Sequence, residues 1–298
     1  MTKLLGHALI TGGSGYIGSY LTRRLIDMGW AITQIGRRPP TIEHQNLRYL
    51  KWSMGCSLPR EAFDRWSGGI EVDRVFHLAY DRSSYKDPDT DVNIISTKRL
   101  IRESKMRGIT EFLLASSIVA RDDALNVFGR KKAEITRLVL ESGYNVAQIG
   151  LVYGGEHRGM WGEIISLLRK SHILPMVSPS NLVQPIHITE VCKGLIYILD
   201  FKNYKKQVFI LASPAPLSFG EFLKTTSKVV LGRGTVIVPV PMFCALWGAR
   251  IINMMPFVPN IDEERILGLA GVPVLDCEND LKLLGVEVKS IQAGMYLP

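Results

Sequence analysis

The sequence predicts a doubly wound α/β fold, in which helices cover both faces of a parallel β-sheet, with a smaller C-terminal lobe. Two observations predict it. Short apolar segments alternate with amphipathic segments throughout the first half of the chain. Three of the amphipathic segments also end at a glycine, and the next apolar segment follows within a few residues. The length of 298 residues agrees with one large α/β unit and a smaller lobe.

Six predicted strands and three predicted helices make up the first half. The strands are expected at His7–Thr11, Ala31–Ile35, Leu47–Trp52, Arg74–Ala79, Glu111–Ser116 and Asn145–Ile149. The helices are expected at Tyr16–Met28, Val92–Arg107 and Val127–Ser142, and they end at Gly29, Gly108 and Gly143. In the first helix, Ile17, Leu21 and Leu25 recur on one face, which is typical of a helix packed on a sheet.

The second half is less regular because many prolines divide it into short segments. We therefore predict a nucleotide-binding domain over residues 1–155, whose sheet is completed within 183–213. Residues 156–182 and 214–298 are predicted to form the lobe that binds the substrate. Open α/β sheets bind ligands at the carboxyl ends of their strands, so this lobe is expected to cover that edge.

Composition excludes several classes of protein. A hydrophobic fraction of 46% is too high for a disordered chain. The four cysteines are dispersed, so they predict neither a metal site nor a disulfide framework. This use of cysteine is typical of a cytoplasmic protein, and a cytoplasmic location is expected. The apolar stretch 236–258 contains prolines, Arg250 and Asn253, so no integral membrane segment is expected there, and a buried or partner-facing helix is predicted instead. The net charge of +8 is not concentrated in a long basic block, so small anions are expected as ligands and nucleic acid is not. The sequence is also compatible with a homodimer.

A glycine-rich segment, TGGSGYIG, runs from Thr11 to Gly18 and opens directly into the first helix. Glycines at 13, 15 and 18 follow a predicted strand, which is the context of a dinucleotide-binding loop. Without side chains the backbone approaches a pyrophosphate closely, and the helix N-terminus attracts its charge. The predicted cofactor contacts are Gly12, Gly13, Ser14, Gly15, Tyr16, Ile17 and Gly18.

Two arginines, Arg37 and Arg38, follow the second predicted strand. An acidic residue that holds the ribose 2′-hydroxyl of NAD usually stands about 20 residues after the glycine-rich segment. A guanidinium there favours a 2′-phosphate through paired hydrogen bonds. The sequence therefore predicts NADP(H) as the cofactor, with NAD as the alternative.

Several further motifs resemble one known family. They are HLA (77–79), a helix that contains Asn93, the pair Ser116 and Ser117 at the end of the fifth strand, LVYGG (151–155) and PIHITEV (185–191). Together with TGGSGYIG they resemble the extended short-chain dehydrogenase/reductase superfamily, and within it the NAD-dependent epimerase/dehydratase family. The resemblance implies a Rossmann sheet and a nicotinamide cofactor that also contacts Leu78 and Ala79. It further implies oxidoreduction or epimerisation of a small substrate, commonly a nucleotide sugar.

In that family a serine orients the substrate hydroxyl, and a YxxxK pair performs proton transfer. The resemblance assigns the serine to Ser117 and the lysine, which also binds the nicotinamide ribose, to Lys132. Phe128 stands where the tyrosine belongs, and phenylalanine has no proton to transfer. The chain is therefore an atypical member.

Three hypotheses account for the missing tyrosine. In the first, the loop after the fourth strand supplies another acid and base, with Tyr80, Asp81 and Tyr85 as candidates. In the second, the chain is an NADP-binding regulator or scaffold without hydride chemistry. In the third, Lys132 acts alone on an activated substrate. Arg158 is a weaker candidate for contact with a substrate phosphate.

Overall fold

The computed structural model describes residues 3–82, 91–200, 205–245, 247, 268 and 271–295. Thirteen strands lie in this part of the chain: β1 His7–Thr11, β2 Ala31–Gly36, β3 Leu47–Lys51, β4 Val72–His77, β5 Glu111–Ser117, β6 Asn145–Ile149, β7 Leu151–Tyr153, β8 Ile173–Val177, β9 Leu182–Val183, β10 Pro185–His187, β11 Val208–Leu211, β12 Leu217–Ser218 and β13 Val236–Val240. The described α-helices include α1 Tyr16–Asp27, α2 Val92–Met106, α3 Val127–Glu141, α4 Gly159–Lys170, α5 Ile188–Asp200, α6 Phe219–Leu231, α7 Glu278–Leu283 and α8 Ile291–Met295, and a 3₁₀ helix covers Arg60–Phe63.

The centre of the molecule is a seven-stranded sheet in the order β11-β6-β5-β4-β1-β2-β3. Every neighbouring pair in it is parallel. The predicted doubly wound fold is confirmed, and the six predicted strands are six of the seven. The order reverses beside β1, which creates a crevice at the carboxyl ends of β1 and β4 where such sheets bind ligands.

Two apolar cores lie on opposite faces of the sheet. Leu21 and Leu25 of α1 pack with α5 on one face, and both side chains are fully buried. Leu100 of α2 and Val139 of α3 pack on the other face. Successive residues of a strand point to opposite faces, so β1 sends Leu9 to one core and its neighbours to the other.

A third core lies in the second half of the chain, where the sequence predicts the lobe, and it also includes Tyr153 of the predicted nucleotide-binding domain. Tyr153, Trp161 and Phe222 form a cluster of aromatic rings between β7, α4 and α6. Three two-stranded sheets accompany it, formed by β7 with β10, β8 with β13, and β9 with β12. In the described part of the chain, no helix is long and apolar enough to cross a membrane.

Helix α1 also connects the sheet to the lobe. The Tyr16 hydroxyl donates a 2.5 Å hydrogen bond to the carbonyl of Gly154, and the Glu156 N–H donates to the Tyr20 hydroxyl at 2.7 Å. Gly154 has a φ of +93°, and a Cβ atom on it would collide with the ring of His187, so this position requires glycine. The lobe is thereby held against the helix that begins at the glycine-rich loop.

Candidate functional site

The glycine-rich loop connects β1 to α1 in a tight turn. Gly12 has a φ of +73°, and a Cβ atom on it would lie 2.7 Å from the backbone nitrogen of Ala79. A Cβ atom on Gly18 would collide with the carbonyl oxygen of Gly12. The turn therefore requires glycine at its first position and again where α1 passes over it.

The loop presents a cradle suited to a pyrophosphate. Gly15 is the N-cap of α1, and it has no side chain to accept hydrogen bonds from the first backbone N–H groups of the helix. The first turn of α1 also has no acidic residue. These N–H groups and the helix dipole therefore favour an anion at this position. Arg158 adds positive charge: its guanidinium donates to the carbonyl of Ser14 at 2.5 Å and to the hydroxyl of Ser19 at 3.2 Å. These features fit the phosphates of a dinucleotide.

A buried amide lies beneath the same loop. The side chain of Gln34 is fully buried, and a Cβ atom on Gly13 would collide with it. Within the described residues neither polar atom of this amide has a hydrogen-bond partner. An unsatisfied buried amide is costly in free energy, so a group bound at the loop that supplies a partner would be stabilised there.

A chain of hydrogen bonds fixes the end of β4 beside the loop. The Ala79 N–H donates to Thr11 Oγ1, and Thr11 Oγ1 lies 2.7 Å from His77 Nδ1. His77 Nε2 lies 3.0 Å from Thr97 Oγ1, whose proton goes to the Asn93 carbonyl. Since the Thr97 proton is already used, His77 donates from Nε2 and accepts at Nδ1. Burial lowers the pKa of His77 to about 3, which keeps this ring neutral.

Arg37 and Arg38 lie just beyond the carboxyl end of β2, and both are exposed. The Arg37 guanidinium is 3.5 Å from the carboxylate of Asp81, which follows β4. Asn93 holds the backbone of Asp81 through two hydrogen bonds of 2.7 and 2.9 Å. The loops after β2 and β4 therefore meet at this ion pair.

Lys132 of α3 is buried against the end of β5. Its Nζ donates to the carbonyl oxygen of Ala115 at 3.1 Å and lies 4.3 Å from the centre of the Tyr80 ring. Burial, followed by the nearby positive charge of Arg82, lowers the pKa of Lys132 to about 7. A lysine with such a pKa holds or releases a proton near neutral pH.

Tyr80 and Phe128 lie edge to face, with their ring centres 5.3 Å apart. The guanidinium of Arg82 is 5.4 Å from the centre of the Phe128 ring. A phenol from the loop after β4 therefore lies between Lys132 and the phenylalanine of α3. Of the other predicted residues, Ser117 is partly exposed and its hydroxyl accepts from the Val119 N–H at 3.5 Å, whereas Tyr85 falls outside the described residues.

Comparison with known proteins identifies the domain that carries this site. Residues 8–152 match the model of the NAD dependent epimerase/dehydratase family. Residues 8–152 therefore form a domain of the NAD-dependent epimerase/dehydratase family. The resemblance noted in the sequence is thus confirmed, and members of this family are NAD(P)-dependent epimerases, dehydratases and reductases.

Curated relatives cover parts of the chain. An uncharacterized protein, y4nG of Sinorhizobium fredii, is 35% identical over 39% of this chain and 28% of its own length. Subunit 9 of the NADH dehydrogenase [ubiquinone] 1 alpha subcomplex from Dictyostelium discoideum is 22% identical over 72% of this chain and 62% of its own. Ceramide reductase of Caulobacter vibrioides is 26% identical over 65% of this chain and 61% of its own. The chain thus spans less than two thirds of each of these relatives.

Solved structures of the family share the fold. MoeE5, bound to UDP-glucose and NAD, superposes with a TM-score of 0.72 at 18% identity and covers 97% of this chain and 96% of its own. UDP-glucose 4-epimerase of Thermotoga maritima, bound to UDP-glucose, gives a TM-score of 0.70 at 18% identity with the same coverage. At this identity, the likeness establishes the fold alone.

Sequence reasoning missed two contacts of the family domain. Gln34 carries no motif, and only the fold reveals that its amide lies under the glycine-rich loop. The sequence makes Arg158 a candidate for a substrate phosphate but does not reveal that its guanidinium bonds to Ser14 and Ser19 of the loop region. A sequence separation of about 140 residues hides that contact from any local pattern.

Proposed function

We propose that the protein is an NADP(H)-dependent oxidoreductase or epimerase that acts on a nucleotide sugar or a similar small hydroxyl or carbonyl compound, and that Tyr80 replaces the missing tyrosine of the family. The observation that carries this proposal is the contact of Lys132 Nζ with the Tyr80 ring, at 4.3 Å, beside the carboxyl ends of β4 and β5. Tyr80 directly follows Ala79, whose backbone adjoins Gly12 of the loop that fits the cofactor phosphates.

The proposed chemistry divides between cofactor and protein. The nicotinamide, when bound, donates or accepts the hydride. The Tyr80 hydroxyl gives a proton to the substrate oxygen as a carbonyl is reduced, or takes it as a hydroxyl is oxidised. Lys132, with a pKa of about 7, places a positive charge beside the phenol that favours its deprotonated form. Ser117 orients the same substrate oxygen by hydrogen bonding.

The cofactor proposed is NADP(H) rather than NAD. Arg37 and Arg38 follow β2 at the position where the acidic residue of an NAD site usually stands, and both are exposed to a ligand. A 2′-phosphate would draw Arg37 away from Asp81, because a guanidinium forms stronger paired bonds with a doubly charged phosphate than with a carboxylate 3.5 Å away.

Support for the substrate class comes from the neighbours. The two structures compared above hold UDP-glucose, whereas one curated relative is a ceramide reductase. The two names that state a reaction, UDP-glucose 4-epimerase and ceramide reductase, describe epimerisation or reduction at a carbon that bears oxygen. We therefore assign this reaction type to the chain and choose nucleotide sugars as the first substrates to test.

The test is turnover by the NADPH-loaded and NADP⁺-loaded protein with a panel of nucleotide sugars and small carbonyl compounds, followed by nicotinamide fluorescence. Tyr80→Phe should lower kcat by about 100-fold or more, since positioned proton transfer contributes that much. Tyr197→Phe on α5, remote from Lys132, is the matched control and should keep the full rate.

A double variant separates catalysis from packing. Tyr80→Phe with Phe128→Tyr returns a phenol to the family position on α3, four residues before Lys132. Because the rings of residues 80 and 128 lie 5.3 Å apart, this variant should recover part of the lost rate. An unchanged rate in Tyr80→Phe would exclude the relay and leave Lys132 as the acid, in which case Lys132→Met alone should abolish turnover.

A second function remains open: an NADP-binding subunit without hydride chemistry. Phe128 favours it, because the residue at the family position has no ionisable group. A relative that is a subunit of NADH dehydrogenase favours it as well. Cofactor binding without any turnover across the whole panel would support this function over the first.

A further inference from the structure

A cavity of about 480 Å³ lies outside the dinucleotide site. One wall is the segment 57–60 with Phe63, which follows β3, and the other is the C-terminal half of α2. None of the residues that line it belongs to the glycine-rich loop or contacts Lys132. Its size is in the range of small-molecule sites, which are about 300–1,000 Å³.

The lining is strongly basic. Four of its nine residues are arginines, namely Arg60, Arg99, Arg102 and Arg107, and Glu103 is its one acidic residue. Arg99, Arg102 and Glu103 share a face of α2 through their spacing of three and four residues. Glu103 forms an ion pair with Arg107, so the other three guanidinium charges have no acidic partner in the cavity wall.

Two of the arginines are held in place by the protein. Arg99 Nη1 donates to the Gly55 carbonyl at 2.5 Å, which ties the loop after β3 to α2. The Arg107 guanidinium lies 4.6 Å from the centre of the Phe63 ring. These contacts shape the cavity and leave N–H donors of both residues at its surface.

The other two arginines have no such role. The guanidinium groups of Arg60 and Arg102 form no hydrogen bond or ion pair with any residue that the structure describes. Cations are favoured at the C-terminal end of a helix, which accounts for Arg107 at the C-cap of α2 but not for Arg102, which lies before the last turn. That reason does not apply to Arg60, which comes from the separate 3₁₀ helix and lines the same cavity.

We propose that this cavity binds a compact polyanion that carries at least two phosphate groups. Guanidinium groups bind phosphate oxygens through paired, charge-assisted hydrogen bonds. Two uncommitted arginines on opposite walls match two phosphate groups, and the anchored pair adds charge from the sides. Such a ligand relieves the repulsion of like charges that the fold brings together.

The test is calorimetric titration of the full chain with inorganic pyrophosphate, both alone and saturated with NADPH. The variant Arg60→Ala/Arg102→Ala should weaken pyrophosphate binding about tenfold or more. Lys98→Ala/Lys105→Ala removes the same charge from exposed positions of α2 that do not line the cavity and should leave the affinity within about twofold. Inorganic phosphate should bind the unmodified protein more weakly than pyrophosphate.

Three results would overturn the proposal. The first is the absence of pyrophosphate binding to the unmodified, NADPH-saturated protein, because the anion would then occupy only the glycine-rich loop. The second is equal weakening in the arginine and lysine variants, because net charge alone would then govern binding. The third is full affinity in Arg60→Ala/Arg102→Ala with a normal melting temperature.

Discussion

Lys132 carries a positive charge in a place where the protein interior disfavours one. Its Nζ has one carbonyl acceptor, from Ala115, and the face of the Tyr80 ring, and the pKa of about 7 follows from burial. In the described residues no carboxylate pairs with this ammonium group. A protein that used Lys132 only for packing would be more stable with an apolar residue there, so the cost in stability points to function.

Arg37 provides a second test at the scale of one residue. Arg37→Ala should weaken NADPH binding about tenfold, because a charge-assisted pair with the 2′-phosphate is lost, and should leave NADH binding almost unchanged. Dissociation constants of both cofactors, measured by fluorescence titration, check this. Arg65→Ala, which removes an exposed arginine paired with Glu71, is the control. Equal weakening for the two cofactors would contradict the proposed preference for NADPH.

At the scale of the element, the turn from β1 into α1 depends on each glycine for a different reason. A Cβ on Gly18 would collide with the Gly12 carbonyl, whereas a Cβ on Gly15 would meet only that oxygen, at 3.1 Å. Gly18 is thus needed for packing within the protein, while the family role of a glycine at position 15 is to let a pyrophosphate approach.

Alanine at these two positions should therefore act differently. Gly18→Ala should lower both the melting temperature and cofactor affinity, because backbone atoms must move apart. Gly15→Ala should leave the melting temperature almost unchanged and still weaken NADPH binding about tenfold. Thermal unfolding and NADPH titration of both variants check this, and a Gly15→Ala protein of full affinity would show that the pyrophosphate does not approach that glycine.

The elements themselves were largely predictable from the sequence. The predicted and observed bounds of the first six strands and of α1, α2 and α3 differ by at most two residues, because apolar periodicity and terminal glycines are local signals. The glycine-rich loop was predictable for the same reason. The contact of Tyr80 with Lys132 was not predictable, since it joins a residue of the loop after β4 to a residue of α3 that lies 52 positions further along the chain. The sequence left Tyr80 as one of three candidates.

At the scale of the whole molecule, the net charge of +8 has a distribution that the sequence alone does not reveal. Arg158 lies at the glycine-rich loop, Arg37 beyond β2, and Arg60 and Arg102 at the separate cavity. Four of the 36 lysines and arginines thus lie at sites that suit anions.

The fold as a whole also keeps three buried histidines neutral. Burial is the main cause in each case: it lowers the pKa of His7 and of His187 to about 4 and that of His77 to about 3. An unfolded chain binds protons on these residues below about pH 6.5, whereas the native protein does not. The free energy of unfolding should therefore fall as the pH decreases from 6.5, by up to about 1.4 kcal/mol per pH unit for each histidine.

Two carboxyl groups, the buried Glu190 and the partly buried Asp280, act in the opposite direction. Burial raises the pKa of Glu190 and of Asp280, so the native protein binds their protons more readily than the unfolded chain and gains stability as the pH decreases. Urea unfolding at pH 6.5 and 4.5 measures the balance, and we expect the three histidines to dominate. His7→Gln should reduce the loss of stability, while His44→Gln, at an exposed position, should not. The same loss in both variants would show that the buried ring at position 7 does not cause the acid sensitivity.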